Sequence, residues 1–245
     1  MVDIPSLDSL EKGRTGPMFQ SKKNRVFRST VAGESYVVKV YRGEWRERAA
    51  VEHGVLMQCI EKGVPVPEPL ALLPGVIVMA PVEGRVAGDV FDCLFATCKG
   101  DGLGSEQERL ADQLVRWLAG FHKAFDFRMA RGDTILRNFM IAGQEAVGLD
   151  FEEAARGDTI SDLGELCASS LIMDPVFTPP KVAFARRLAE RYWAVSGQRR
   201  MGELDGAVSA AIRHYAQFRP NGQALLAHAN RIERGEVVIS SSEDL

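Results

Sequence analysis

Met129-Ala-Arg-Gly-Asp-Thr-Ile-Leu-Arg-Asn-Phe-Met-Ile141, followed by Val147-Gly-Leu-Asp-Phe151, is the stretch on which the fold turns. Its apolar runs Phe139–Ile141 and Val147–Leu149 read as short strands joined by a tight hairpin. Asp133 and Asn138 then fall on the loop before the hairpin, and Asp150 on the loop after it. Three oxygen-bearing side chains therefore converge at the ends of paired strands. A few oxygen ligands suit Mg²⁺, which keeps phosphate oxygens in its shell.

Working outward, Ser105–Glu108 matches a capping box, and Leu110, Leu114, Trp117, Leu118 and Phe121 form a helical stripe that leads to the Asp133 loop. His122 has no second His or Cys at ligand spacing and reads as a packed or capping residue. Beyond Asp150, helices are predicted near 160–173, 180–195, 203–217 and 219–234, with a frayed tail from Ser240 to Leu245. Arg-Gly-Asp-Thr-Ile occurs at 131–135 and again at 156–160. Only the first copy has Asn five residues past its Asp, so the second reads as a turn into a helix.

Toward the N-terminus, residues 1–18 are rich in Gly and Pro and read as an irregular lead-in. Val26–Val31 and Ser35–Tyr41 flank a turn and read as a hairpin. Alternation puts Tyr36, Val38 and Val40 on one face, and Val37, Lys39 and Tyr41 on the other. Residues 44–62 read as a helix with Val51, Val55, Leu56, Cys59 and Ile60 on its apolar stripe and Glu52 on the flank. Gly63-Val-Pro-Val-Pro67 ends it, since proline cannot continue a helix. Leu70–Leu73 and Val76–Met79 add two strands around Pro74-Gly75, and Ala80–Gly84 is an extended linker.

The 245 residues are 46% hydrophobic, enough to bury a full core in one domain or two small lobes. A net charge of -3 with interspersed signs argues against a nucleic-acid partner. Cys59, Cys93, Cys98 and Cys167 form no CxxC pair and read as buried free thiols in a reducing compartment. There is no basic-then-apolar leader and no apolar run of transmembrane length, so a soluble cytoplasmic protein is expected. Peripheral membrane association stays open.

Asp133-x-x-x-x-Asn138 followed by Asp150-Phe151, preceded by Lys39 on a strand and Glu52 on a helix, resembles the protein-kinase-like superfamily over roughly residues 20–165. Only eleven residues separate Asp150 from Asp162 and no Ala-Pro-Glu follows, which is similar to the compact bacterial and atypical branch. That branch holds lipopolysaccharide core kinases, RIO-type kinases and aminoglycoside phosphotransferases; chain length ranks the first two ahead. The resemblance implies a bilobal α+β fold. Residues 1–80 would form an antiparallel sheet with one helix, 81–85 a hinge, 86–239 a helical lobe carrying the catalytic and metal loops, and 240–245 a flexible tail.

By the same resemblance the chain uses ATP and Mg²⁺ and moves the γ-phosphate to a hydroxyl of a sugar or lipopolysaccharide, or of protein Ser/Thr. A non-catalytic pseudokinase is the alternative. Lys39 would grip the α/β-phosphates and Glu52 hold Lys39. Asn138 and Asp150 would bind the metal, and Asp133 would orient and deprotonate the acceptor. Val26, Val37, Met79, Ala80, Val82 and Met140 would join Lys39 around the nucleotide, and Asp162 would brace the catalytic loop. Three features depart from the family pattern. Gln20–Arg25 lacks glycine, leaving Ser21, Lys22 and Lys23 to meet phosphate; Arg131 replaces His; and Glu152 replaces Gly.

Overall fold

The computed structural model describes residues 4–20, 23–96 and 100–240. Chain contacts divide it into two units, residues 1–83 with 148–154 and residues 84–147 with 155–245. Ser21, Lys22 and Cys98 lie outside the described residues, as do 241–245.

The first unit opens with helix α1 (Leu7–Lys12) and strands β1 (Arg14–Gln20), β2 (Asn24–Val31) and β3 (Glu34–Tyr41). A 3-10 turn over Gly43–Glu47 leads into α2 (Arg48–Glu61), and β4 (Pro69–Leu73) and β5 (Val76–Met79) complete an antiparallel sheet in the order β1-β2-β3-β5-β4. Residues 4–18 of the lead-in are therefore ordered structure. Gly16 and Pro17 hid β1 from the pattern; it sits at the sheet edge, with a register irregularity between Thr15 and Phe19, where a proline removes no needed ladder bond. Leu10 of α1 is completely buried against Phe27, Tyr36, Val38 and Val78, and its carbonyl accepts the Ser29 hydroxyl at 2.7 Å.

The other face of the sheet carries the polar centre. Val26 lies opposite Lys39, and Val37 opposite Met79. Directly opposed residues share a face, so Val26, Val37 and Met79 flank Lys39 on one surface. Helix α2 turns differently from its predicted stripe. Ala49, Glu52, Val55, Leu56 and Cys59 are buried, whereas Val51 and Ile60 are exposed. The charged Glu52 takes an inward position because it has partners there.

The second unit contains β6 (Arg85–Val86), α3 (Ala87–Ala96), α4 (Ser105–Ala124) and β7 (Met129–Ala130). A 3-10 turn over Leu136–Asn138 is followed by β8 (Phe139–Ala142), β9 (Glu145–Gly148), β10 (Ala155–Arg156) and α5 (Thr159–Leu171). Three further helices close it: α6 (Pro179–Ser196), α7 (Met201–Ala216) and α8 (Gly222–Glu233). The predicted hairpin is β8–β9, with β6 added beside β8. Helix α4 starts one residue earlier than the capping box implied: Gly104 is the N-cap, and its amide donates to Gln107 Oε1 at 2.6 Å. The repeated Arg-Gly-Asp-Thr-Ile resolves as expected, since Asp158 caps α5 by accepting the Ile160 amide at 3.1 Å. Gly164 lets α5 meet α7 closely, because a Cβ there would fall 2.7 Å from that of Ala207.

Cys59 and Cys167 are buried, but Cys93 is exposed, since α3 turns Ala87, Gly88 and Phe91 inward. Ser240 is held rather than frayed: its hydroxyl donates to Asp205 Oδ2 at 2.8 Å. No helix among the described residues is long and apolar enough to cross a membrane. The lead-in gives a direct test. Leu10→Ala should cost about 2–5 kcal/mol through the lost contacts and residual cavity, read from urea unfolding; an unchanged midpoint would show that α1 contributes nothing to the core.

Candidate active site

In the first unit, Lys39 Nζ lies 2.6 Å from Glu52 Oε2, 2.8 Å from Asp150 Oδ1 and 3.6 Å from Glu152 Oε2. Lys39 and Glu52 are 3% and 2% exposed, so this ion pair is desolvated. Burial alone would depress the Lys39 pKa, but the carboxylates of Glu52 and Asp150 outweigh it and raise it to about 12. The ammonium therefore stays charged. Glu52 is held from three sides: Oε2 accepts both Lys39 and the Tyr41 hydroxyl, and Oε1 accepts the Phe151 amide at 3.2 Å. Burial, then the Glu52 charge, pushes the Tyr41 phenol far up, so it remains a donor. Tyr41 was missed as a site residue, though its position two past Lys39 placed it on the same face.

Glu152, at the expected glycine position, accepts Asn24 Nδ2 at 3.0 Å and lies 3.2 Å from Lys23 Nζ. Lys23 also lies 2.5 Å from Glu153, which pairs with Arg48 at 2.6 Å. Lys23 and Asn24, in the glycine-free Gln20–Arg25 segment, thus bind Glu152 and Glu153.

In the second unit, Asp133 is exposed at the tip of its loop and takes a left-handed φ of +46°. Asn138 Nδ2 donates to the Asp133 carbonyl at 2.8 Å and to Oδ2 at 3.0 Å, so these two predicted residues are in contact. Arg131 explains how the loop is held. Its fully buried guanidinium donates to the carbonyls of Gly132, Asp133 and Asn138 at 2.9, 2.8 and 3.1 Å, and packs 5.0 Å from the Phe139 ring centre. Asp162 completes the brace. Its carboxylate accepts the amides of Arg131 and Gly132 at 2.6 and 2.9 Å, the Thr134 hydroxyl at 3.0 Å and His122 Nε2 at 2.8 Å. The other His122 nitrogen bonds the Tyr192 hydroxyl at 2.7 Å, which makes His122 a packed strut.

The remaining predicted nucleotide residues divide between the units. Val26, Val37, Ala80 and Val82 are half-buried in the first, where Met79 is buried; Met140 is half-buried on β8 in the second. Asp150 likewise belongs to the first unit, and Asn138 and Asp133 to the second.

Residues 21–131 match the phosphotransferase enzyme family. The fold is similar to that of the amicoumacin kinase hAmiN in complex with AMP-PNP, Ca²⁺ and Ami, at 15% identity and TM-score 0.59, covering 93% of this chain and 90% of that one. It is also similar to a Ralstonia eutropha protein assigned as an aminoglycoside phosphotransferase, at 15% identity and TM-score 0.53, covering 93% and 91%. No curated protein matches the chain in sequence. The matched segment and the fold are both similar to those of kinase-like phosphotransferases. With about nine-tenths of each neighbour covered, chain length does not set this chain apart from these structures.

Glu165, three residues past Asp162 on α5, was also missed; it accepts the Thr134 amide at 2.7 Å. Burial raises its carboxyl from 4.5 to about 7, helped by the charges of Asp162 and Asp133 and opposed by the Thr134 amide. Between these values the folded chain keeps a proton that the unfolded chain has lost, so this group's contribution to stability falls as pH rises from 4.5 to about 7. Glu165→Gln retains an oxygen for Thr134 and should flatten that part of the pH profile of the urea midpoint. Identical slopes in wild type and variant would remove Glu165 as the cause.

Proposed function

We propose that the chain transfers the γ-phosphate of ATP, with Mg²⁺, to a hydroxyl of a small-molecule acceptor. The observation that carries this reading is the desolvated Lys39–Glu52 pair at 2.6 Å, held by Tyr41 and the Phe151 amide. A buried ion pair is a poor device for stability, whereas an oriented ammonium on a half-buried apolar surface suits the α/β-phosphates. Val26, Val37 and Met79 supply that surface. The Ala80 amide is spent on the Glu68 carbonyl at 2.9 Å, which leaves the Ala80 carbonyl and Val82 amide for the adenine edge. A small acceptor is favoured over a protein because the similar structures are named as an amicoumacin kinase and an aminoglycoside phosphotransferase.

Each unit offers an oxygen donor of the kind that a hard cation takes. Asp150 commits Oδ1 to Lys39 and keeps Oδ2 available, and Asn138 commits Nδ2 to Asp133 and keeps Oδ1. Glu52 and Glu152 lie close to Asp150, but their oxygens serve Lys39, Tyr41, Asn24 and Lys23. When bound, Mg²⁺ offsets the charge of the β- and γ-phosphates. Asp133 orients the acceptor hydroxyl. The hydroxyl oxygen bonds to Pγ as the Pγ–O bond to the β-phosphate breaks, the hydroxyl proton passes to Asp133, and ADP leaves.

Mg²⁺·ATP at 100 times its dissociation constant should stabilise the fold by about 2.7 kcal/mol; no thermal shift at millimolar nucleotide would sink the reading. Asp133→Asn should lower turnover about 10²–10⁴-fold with nucleotide affinity nearly intact, while Asp150→Asn should impair both. Equal turnover in wild type and Asp133→Asn would remove Asp133 as the base.

A further inference from the structure

The second unit contains a cavity of about 400 Å³ that Arg137, four residues past Asp133, helps to line, a size that holds a metabolite. Arg137, which directly precedes Asn138 on the 3-10 turn, lines it together with Arg219 and Lys181. These three cations are not equivalent. Lys181 is buried and donates to the carbonyls of Met173 and Pro175 at 2.7 and 2.9 Å, so it is spent on shaping the wall. Burial lowers its pKa, and the charges of Asp92 and Asp174, which line the same cavity, counter that shift.

The arginines are less engaged. Arg219 gives one nitrogen to the Ile172 carbonyl at 3.0 Å. Arg137 makes no hydrogen bond or ion pair among the described residues, and its stem crosses Gly88, where an added Cβ would fall 3.1 Å from Arg137 Cγ. Neither Asp92 nor Asp174 lies within ion-pair distance of either guanidinium. Phe95 and Met173 add apolar wall. Arg137 and Arg219 pair with no carboxylate among the described residues, and in a cavity that Asp92 and Asp174 also line each presents the planar fork that recognises carboxylate or phosphate.

We propose that this cavity is the acceptor subsite and that it selects a hydroxyl compound carrying a carboxylate or phosphate group, seated on Arg137 and Arg219. This rests on the phosphotransferase reading and names its substrate class. Holding the anionic group beside the residue that precedes Asn138 would keep the reacting hydroxyl near Asp133 on the same loop.

The test is a thermal-shift titration of the full chain in Mg²⁺·AMP-PNP with matched probes: glycerol against D-glycerate, D-glucose against D-gluconate and glucose 6-phosphate, and ribose against ribose 5-phosphate. An anionic probe should bind at least about 10-fold more tightly than its neutral counterpart. Arg137→Gln should remove that preference and Arg137→Lys should restore part of it; Arg137 makes no internal bond, so both variants should fold. Arg219→Lys, which keeps the charge and loses the fork, should weaken phosphate probes and carboxylate probes alike. Carboxylate or phosphate probes responding alone would identify which anion the arginines read. Tighter binding of the neutral members overturns the proposal, as does the absence of any anionic probe whose binding depends on Arg137. Failure of Mg²⁺·AMP-PNP itself to shift the melting temperature would count against the phosphotransferase reading instead.

Discussion

A buried carboxylate is costly unless every oxygen is engaged, and in the second unit that constraint falls on Asp162. Four donors reach it, two backbone amides, one hydroxyl and one imidazole. They come from α4 and from the loop that carries Asp133, so satisfying the charge and placing the loop are one event. Because the amides of Arg131 and Gly132 both point at Asp162, the chain must turn sharply there, and Gly132 and Asp133 adopt left-handed conformations. Asp tolerates that region better than most residues. Loss of the Asp162 charge would leave several buried donors unsatisfied at once.

The first unit solves a similar problem with opposite charge. Lys39 is buried among three carboxylates, and the rotation of α2 that brings Glu52 inward leaves Val51 and Ile60 exposed. Exposing two apolar residues to bury a glutamate reverses the usual preference of a helix, and the local pairing of Glu52 with Lys39 and Tyr41 offsets it.

Much of this was legible in the sequence, and the parts that were not have physical reasons. Strand β3 alternates in period two, β4 and β5 are short apolar runs around Pro74-Gly75, and α4 to α8 follow helical periodicity, so pattern alone places them. Residues 4–20 defeat that reading because Gly16 and Pro17 mark an edge irregularity that looks like loop chemistry. The α2 stripe was misjudged because hydrophobic periodicity cannot know that a carboxylate has a buried ammonium waiting for it. Glu165 and Tyr41 were recoverable, since each lies at the spacing that puts it on the same face as a residue already singled out. Arg131 was noticed only as a missing histidine. Its three carbonyl partners are set by tertiary packing, and no spacing rule reports them.

That substitution changes how the loop responds to its surroundings. An imidazole at this position would gain and lose charge near neutral pH, and any loop geometry depending on it would loosen or tighten with acidity. A guanidinium stays charged across that whole range. With Arg131 gripping the carbonyls of Gly132, Asp133 and Asn138, the shape of the loop is insulated from proton concentration, and acid sensitivity is shifted to neighbouring carboxyls such as Glu165.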